Sequence, residues 1–316
     1  PSAIGSTGWF THPRRFVEWA ERDGRRFDMA VSTDLDDDPS VLDGYDLVVS
    51  DGHDEYWSAP QRAAIEAYVR GGGSVASFSG NTMFWQVRHE GRSMVCHTDR
   101  AHLDDPVVQE GRPNDATGMW ADPTIGRPEW SFLGAGSAFG LYHRFGQATA
   151  RGVGGFVVYR PDHWLLDGTD LRYGDVLGAD DGVVGYETLG CPITLDELQL
   201  PVPWPRDELP ESIEIVGHVP SSNLGVGEYP KSIAALSDQG DLEFIATRLH
   251  GDTSEHSLAK VRNGNAVMLT CRPFGAGGGE VVTVGTTDWV FGLAHDQAVG
   301  RVTSNVLDRH TGPEER

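Results

Sequence analysis

The run His53-Asp54-Glu55-Tyr56 sets an imidazole, two carboxylates and a phenol on four consecutive residues. Such groups move protons or bind a metal ion. The run follows the apolar stretch Tyr45 to Ser50, and Trp57 and Ser58 come next. A plain reading is a helix-entry loop, with Asp54 as a turn residue, solvated carboxylates and a packing Trp57. Position weighs towards function, because loops at strand ends of α/β sheets carry chemistry disproportionately. On that weighing His53 and Glu55 are candidate catalytic groups, and Tyr56 belongs to a site rather than to the core. Asn81, in Ser79-Gly80-Asn81, is a third candidate. A glycine beside it lets the backbone approach a ligand closely, and its amide can donate to one; capping a following turn explains it equally well.

Other constellations are weaker. Asn114-Asp115-Ala116-Thr117-Gly118-Met119-Trp120 reads on its own as a turn, and His89, His97 and His102 match no familiar ligand spacing. There is no Gly-x-Ser-x-Gly elbow, no Gly-x-Gly-x-x-Gly after a strand and no P-loop. Ser77 and Ser79 remain formal nucleophiles without supporting spacing. Cys96, Cys191 and Cys271 form no Cys-x-x-Cys pair, which disfavours a structural zinc site and a disulfide framework. None of them follows an early strand, so a cysteine amidase is disfavoured.

The elements that hold these residues alternate. Pro13 to Arg22 has the apolar spacing and the proline of a helix, Phe27 to Ser32 that of a short strand. Tyr45 to Ser50 is nearly continuous in apolar residues, as in a sheet buried on both faces. Ser58 and Pro60 open a helix that runs to Arg70, Gly71-Gly72-Gly73 ends it, and Ser74 to Ser79 is the next strand. This predicts a doubly wound, mostly parallel α/β sheet with the loops after Ser50 and Ser79 on one edge. Residues 87–264 lack helical periodicity and read as a β-rich irregular insertion. Its candidate strands are Gly155 to Arg160, Val183 to Glu187, Glu214 to Gly217, Lys231 to Leu236 and Leu242 to Thr247. Ala266 to Thr270 and Val281 to Gly285 return to the core, and a helix from Gln297 to Asp308 closes the chain. The domain reading is therefore 1–86 plus 265–316 as the α/β unit, with 87–264 inserted.

Composition narrows the class. With 39% hydrophobic residues a full core is expected, and a net charge of −22 disfavours nucleic acid and anionic membrane surfaces. No apolar run approaches the roughly 20 residues of a membrane helix. The opening residues resemble no signal peptide. A cytoplasmic protein acting on a small molecule is the expectation, alone, as a homo-oligomer or with a small partner subunit. Lys231 and Lys260 are the only lysines against many arginines, a bias of GC-rich bacterial genomes.

Gly52-His53-Asp54-Glu55-Tyr56-Trp57, Ala67-Tyr68-Val69-Arg70-Gly71-Gly72-Gly73 and Ser79-Gly80-Asn81 with Phe84-Trp85 resemble the C-terminal domain family of the N,N-dimethylformamidase large subunit. Val184-Gly185-Tyr186-Glu187 and Thr303-x-Asn305-Val306-Leu307 extend the likeness. The family reads Gly-x-His-Pro-Glu-Tyr, so Asp54 stands where it has proline. The resemblance implies a class I glutamine amidotransferase-like sheet without its cysteine. It also implies a mononuclear iron held by two tyrosines and a glutamate. Tyr56 matches one tyrosine, and Asp115 falls where the family has the glutamate; the second tyrosine has no match here. Phenolate and carboxylate oxygens suit ferric iron, which activates water without a serine or cysteine. The expectation is a metal-assisted hydrolase of an amide or related C–N bond. A non-catalytic domain of the same fold is the main rival, and a carbohydrate-active protein, suggested by nine tryptophans, is a third.

Overall fold

The apolar run before His53 forms β1 (Leu47–His53), and a connection through the helix Ala59–Arg70 returns the chain to β3 (Ser74–Gly80) alongside it. The two pair in parallel, Leu47 opposite Ser74 and His53 opposite Gly80. In this computed structural model, residues 8–140, 154–185, 187–204, 208–210, 212–222 and 239–311 are described. Ser58 caps the connecting helix: its hydroxyl accepts from the Gln61 backbone N–H at 3.1 Å, and the Gln61 side chain accepts from the Ser58 N–H. Between them β2 (Tyr56–Ser58) pairs with β4 (Trp85–Glu90), which pairs with β5 (Ser93–Val95) in a small second sheet.

The main sheet adds β6 (Phe156–Val158), β7 (Val176–Leu177), β10 (Glu214–Ser222), β11 (Asn263–Cys271) and β12 (Val281–Val284); β8 (Ile193–Leu195) and β9 (Pro201–Pro203) form a separate ribbon. Its order is β1-β3-β12-β11-β10-β6-β7. This corrects the expectation of a doubly wound, mostly parallel, amidotransferase-like fold. Only β1, β3 and β12 run parallel; every further pairing is antiparallel, so the sheet is mixed. The physical reason lies in the connections. Residues 272–280 between β11 and β12 are too few for the crossover of about a dozen or more that a parallel neighbour needs. Strands β6, β7 and β10, from the segment read as an insertion, continue this sheet.

Side chains of β3 alternate between two cores. Ala76 and Phe78 face Phe16, Trp289 and the inward Val299, Val302 and Val306 of the helix Gln297–Thr311. Val75 faces Ile65 and Val69 of the helix Ala59–Arg70, with Trp120 and Leu133 beyond. A third cluster joins Phe84, Trp85 and Met119 to the helices Gln239–His250 and Glu255–Arg262. No helix among the described residues is long and apolar enough to cross a membrane.

Three smaller expectations change. Leu242 to Thr247 is helical: Leu242, Ile245 and Ala246 are buried at helical spacing, a period a strand cannot use. Phe27 to Ser32 joins no sheet, and the helix Ser32–Asp37 takes its end. None of the described residues of Val183 to Glu187 lies in a strand; a bridge, Thr188 with Thr286, stands beside them. Lys231 to Leu236 lies outside the described residues.

Candidate functional site

β1 and β3 end together at His53 and Gly80, and the chain crosses itself there. The Asp54 carbonyl accepts from the Met83 N–H at 3.0 Å and the Glu55 carbonyl from the Trp85 N–H at 2.9 Å. Asp54 holds this crossing from within. Its carboxylate accepts from the Ser50 hydroxyl at 2.5 Å and from the Trp57 indole N–H at 2.9 Å. Asp54 and Trp57 are thus structural, as turn chemistry and packing suggest. Burial raises the Asp54 carboxyl, and its two donors and His53 work against that rise.

His53 then meets two glutamates. Its Nε2 lies 2.5 Å from Glu187 Oε2 and 3.4 Å from Glu55 Oε2. The imidazole side chain is 31% exposed while the two carboxylates are nearly buried, so a rim cation covers an inner pair of acids. Burial works to lower the imidazole, but the Glu187 hydrogen bond and the Glu187, Glu55 and Asp54 charges prevail and raise it to about 9. Glu55 is pushed up, chiefly by burial and then by Glu187. Tyr56 is hydrogen-bonded to Glu55 and remains 39% exposed, which is no core tyrosine. Its hydroxyl is raised well above the phenol range by burial and by the neighbouring Glu55 and Cys96. Cys96, from the turn after β5, is itself pushed up to about 11 by burial, so it stands there as a thiol.

Glu187 is the residue that the sequence reading did not place in the site. It reaches His53 from a segment remote in sequence, held by Thr287, whose N–H and hydroxyl donate to the Glu187 carbonyl at 3.3 and 3.0 Å. Its φ is +38°, a conformation few side-chain-bearing residues adopt. Gly80 is required beneath it, because a Cβ there would overlap the Glu187 carbonyl oxygen. The available signal was Val184-Gly185-Tyr186-Glu187, a motif noted without a role.

Asn81 sits one residue beyond Gly80, buried, with φ +54°. Its Oδ1 accepts from the Ser137 hydroxyl at 2.9 Å, and the Ser137 N–H donates to Glu129 Oε1 at 3.0 Å. Its amide nitrogen is therefore the end that can donate to another group. Glu129 is fully buried, and burial pushes its carboxyl up to about 7.

Asp115 lies apart from this cluster. Its carboxylate, half exposed, pairs with Arg112 at 2.6 Å, and its carbonyl accepts from Arg88 at 2.8 Å. Met119 and Trp120 of the same loop do reach the site's flank, Met119 bridging Trp85. Ser77 and Ser79 are buried and share their hydroxyls with each other and with Thr82, at 2.7 Å for the Ser77–Ser79 and Ser79–Thr82 contacts. No imidazole or carboxylate appears among those partners. Among the described residues, no three His, Cys, Asp or Glu side chains are arranged to hold a metal ion. The oxygen donors that do gather are Glu55, Glu187 and the phenol of Tyr56.

Residues 4–302 match a family model described as N,N-dimethylformamidase beta subunit-like, C-terminal. The N,N-dimethylformamidase beta subunit of Alcaligenes sp is 24% identical, over 93% of this chain and 36% of its own length. That of Paracoccus aminophilus is 24% identical, over 92% of this chain and 35% of its own. The chain spans just over a third of the length of these relatives.

Proposed function

The chain belongs to the N,N-dimethylformamidase beta subunit-like C-terminal family, and from that premise and the strand-end cluster we propose a hydrolase of small amides. The observation that supports it is the convergence of His53 with Glu55 and Glu187 beside Tyr56. Amide hydrolysis adds water to the carbonyl carbon, breaks the C–N bond and releases the amine with an added proton. A carboxyl raised by burial, as Glu55 is, accepts the proton that water gives up. The protonated imidazole of His53, kept charged by the two glutamates, delivers a proton to the leaving nitrogen. The Asn81 amide donates to the carbonyl oxygen as negative charge gathers there.

Tyr56 and Glu187 are the groups that would hold a ferric ion in this reading, which leaves Glu55 as the proton acceptor. They fit it in kind: hard oxygen donors, with negative charge in excess over the single imidazole. Bound there, iron would supply Lewis acidity towards the amide oxygen and water. Asp115, engaged with Arg112, is not part of this donor set.

The experiment combines metal analysis with release of amine from N,N-dimethylformamide and related small amides. In Tyr56→Phe, iron content and turnover are expected to fall together while the fold persists. A tyrosine serving only to pack would lose about 1 kcal/mol with its hydroxyl and keep activity. An iron-loaded chain that hydrolyses no small amide would sink the proposal and leave a non-catalytic member of the family.

A further inference from the structure

The Asn81 side chain could turn either end of its amide towards the strand-end cluster, and only the nitrogen end donates. Its backbone, at φ +54°, suits asparagine, which explains the residue type but not what the side chain touches. That contact is the Ser137 hydroxyl, 2.9 Å from Asn81 Oδ1. Ser137 is 1% exposed, and its hydroxyl has no other acceptor among the described residues. Were the amide turned round, the hydroxyl proton would be buried without an acceptor, a costly state for a donor. The amide nitrogen has no protein partner among the described residues, yet it is not sealed in.

Ser137 is held in turn. Its backbone N–H donates to Glu129 Oε1 at 3.0 Å, across the helical turn Trp130–Leu133. The Thr283 hydroxyl of β12 donates to the Leu133 carbonyl at 2.8 Å, which ties that turn to the main sheet. Gly136 must be glycine, because a Cβ there would lie 2.6 Å from Glu129 Oε1. Gly136 and Gly190 exchange backbone hydrogen bonds at 2.8 and 3.0 Å, so the segment bearing Ser137 lies against the segment bearing Glu187. One short stretch thus braces two arms of the cluster.

Stability does not account for Glu129. It is fully buried, and its Oε2 has no hydrogen-bond partner among the described residues. An acid buried for one backbone N–H costs more than that bond returns. Native proteins keep such groups chiefly where a site needs them.

We propose that Glu129 and Ser137 are positioning residues. Glu129 fixes the main chain at Ser137, and the Ser137 hydroxyl fixes which end of the Asn81 amide faces the reacting carbonyl. The assignment rests on the reading of the cluster as an amide hydrolase with Asn81 as its carbonyl donor.

A double-mutant cycle on turnover of a small amide tests it. Asn81→Ala removes the donor and is expected to lower kcat about 100-fold. Ser137→Ala keeps the donor but frees it to turn. It is expected to lower kcat about 10-fold with KM unchanged, because the contact tightens only in the transition state. Glu129→Met fills the same space without an acceptor and is expected to act as Ser137→Ala does. In the Asn81→Ala background neither change costs anything further, since no amide is left to orient. Full turnover in Ser137→Ala or Glu129→Met overturns the proposal, as do equal losses in both backgrounds, which would mark a merely structural role. Full turnover in Asn81→Ala sinks the donor reading itself, and the proposal with it. Neutron diffraction from deuterated crystals reads the orientation without any turnover. The Ser137 hydroxyl deuteron is expected to point at Asn81 Oδ1. Asn81 deuterons aimed at Ser137 overturn the assignment even in a chain that hydrolyses no amide.

Discussion

Two histidines at opposite ends of the main sheet each face a glutamate, and they shift in opposite directions. His53, at the end of β1, meets Glu187 and Glu55, and no arginine figures among the causes of its rise to about 9. His310 lies 3.5 Å from Glu280, just before β12 begins. Arg309 reaches the same carboxylate at 3.2 Å and Arg272 at 3.8 Å. Burial lowers His310, and the two guanidinium groups reinforce that fall against the pull of Glu280. The Glu280 end is neutralised and resembles a structural clasp. The His53 end gathers acids with one cation between them, an arrangement that stability alone does not favour. That surplus sets the proposed site apart from a staple made of the same residue types.

The comparison breaks most visibly at Glu187. Glu187→Gln keeps the shape of the side chain but removes the charge closest to His53. Turnover of a small amide is expected to fall about 100-fold or more, with the folded state intact by circular dichroism. Activity that survives would mean the surplus of acid at this end has no catalytic role. Glu280→Gln is the reciprocal change. It strands an imidazole and two part-exposed guanidinium groups, and should cost about 1–2 kcal/mol in denaturant unfolding while kcat/KM holds. If it instead abolished turnover and spared stability, the two ends would have exchanged roles.

Glu129 sharpens the contrast with a smaller effect, because burial dominates at this carboxyl and the charge of Arg62 pulls only weakly against it. Burial raises it from its ordinary 4.5 to about 7. Its contribution to stability is therefore full below about pH 4.5 and is lost as pH rises through 7, where the folded protein must ionise a buried group. Glu129→Gln should flatten the decline in stability across that window, by up to about 1.4 kcal/mol per pH unit, and leave the variant the more stable above neutrality. A wild type whose unfolding free energy is level over the same range would mean that Glu129 is not held protonated.

Local signals in the sequence were read where local physics decides. The Ser58 cap, the glycine stop after Arg70, the β3 run and the closing helix all appear as expected. His53, Glu55 and Tyr56 were identified from their place after a strand, and the structure brings all three together. What failed depends on distant partners. The antiparallel step from β12 to β11 follows from their short connection, and β10 and β6 pair beyond it across long ones; apolar runs encode neither. The segment containing Leu242 was assigned from its apolar content, although its burial follows a helical period. Glu187 joins the cluster through a pairing of remote segments that no spacing reveals; Asp115, placed by motif likeness, pairs with Arg112.

The hold of Thr287 on the Glu187 carbonyl also sets a timetable. His53 is synthesised well before Thr287, so its partner is fixed only after the chain has been made through β12 and Thr287. Contacts of such sequence separation pay their loop-closure entropy before they return any stability, so they form late. A growing or partly folded chain thus carries His53, Glu55 and Tyr56 without the residue that completes them. The full cluster arrives together with the finished sheet, and a fragment ending before β12 lacks the hold that fixes Glu187.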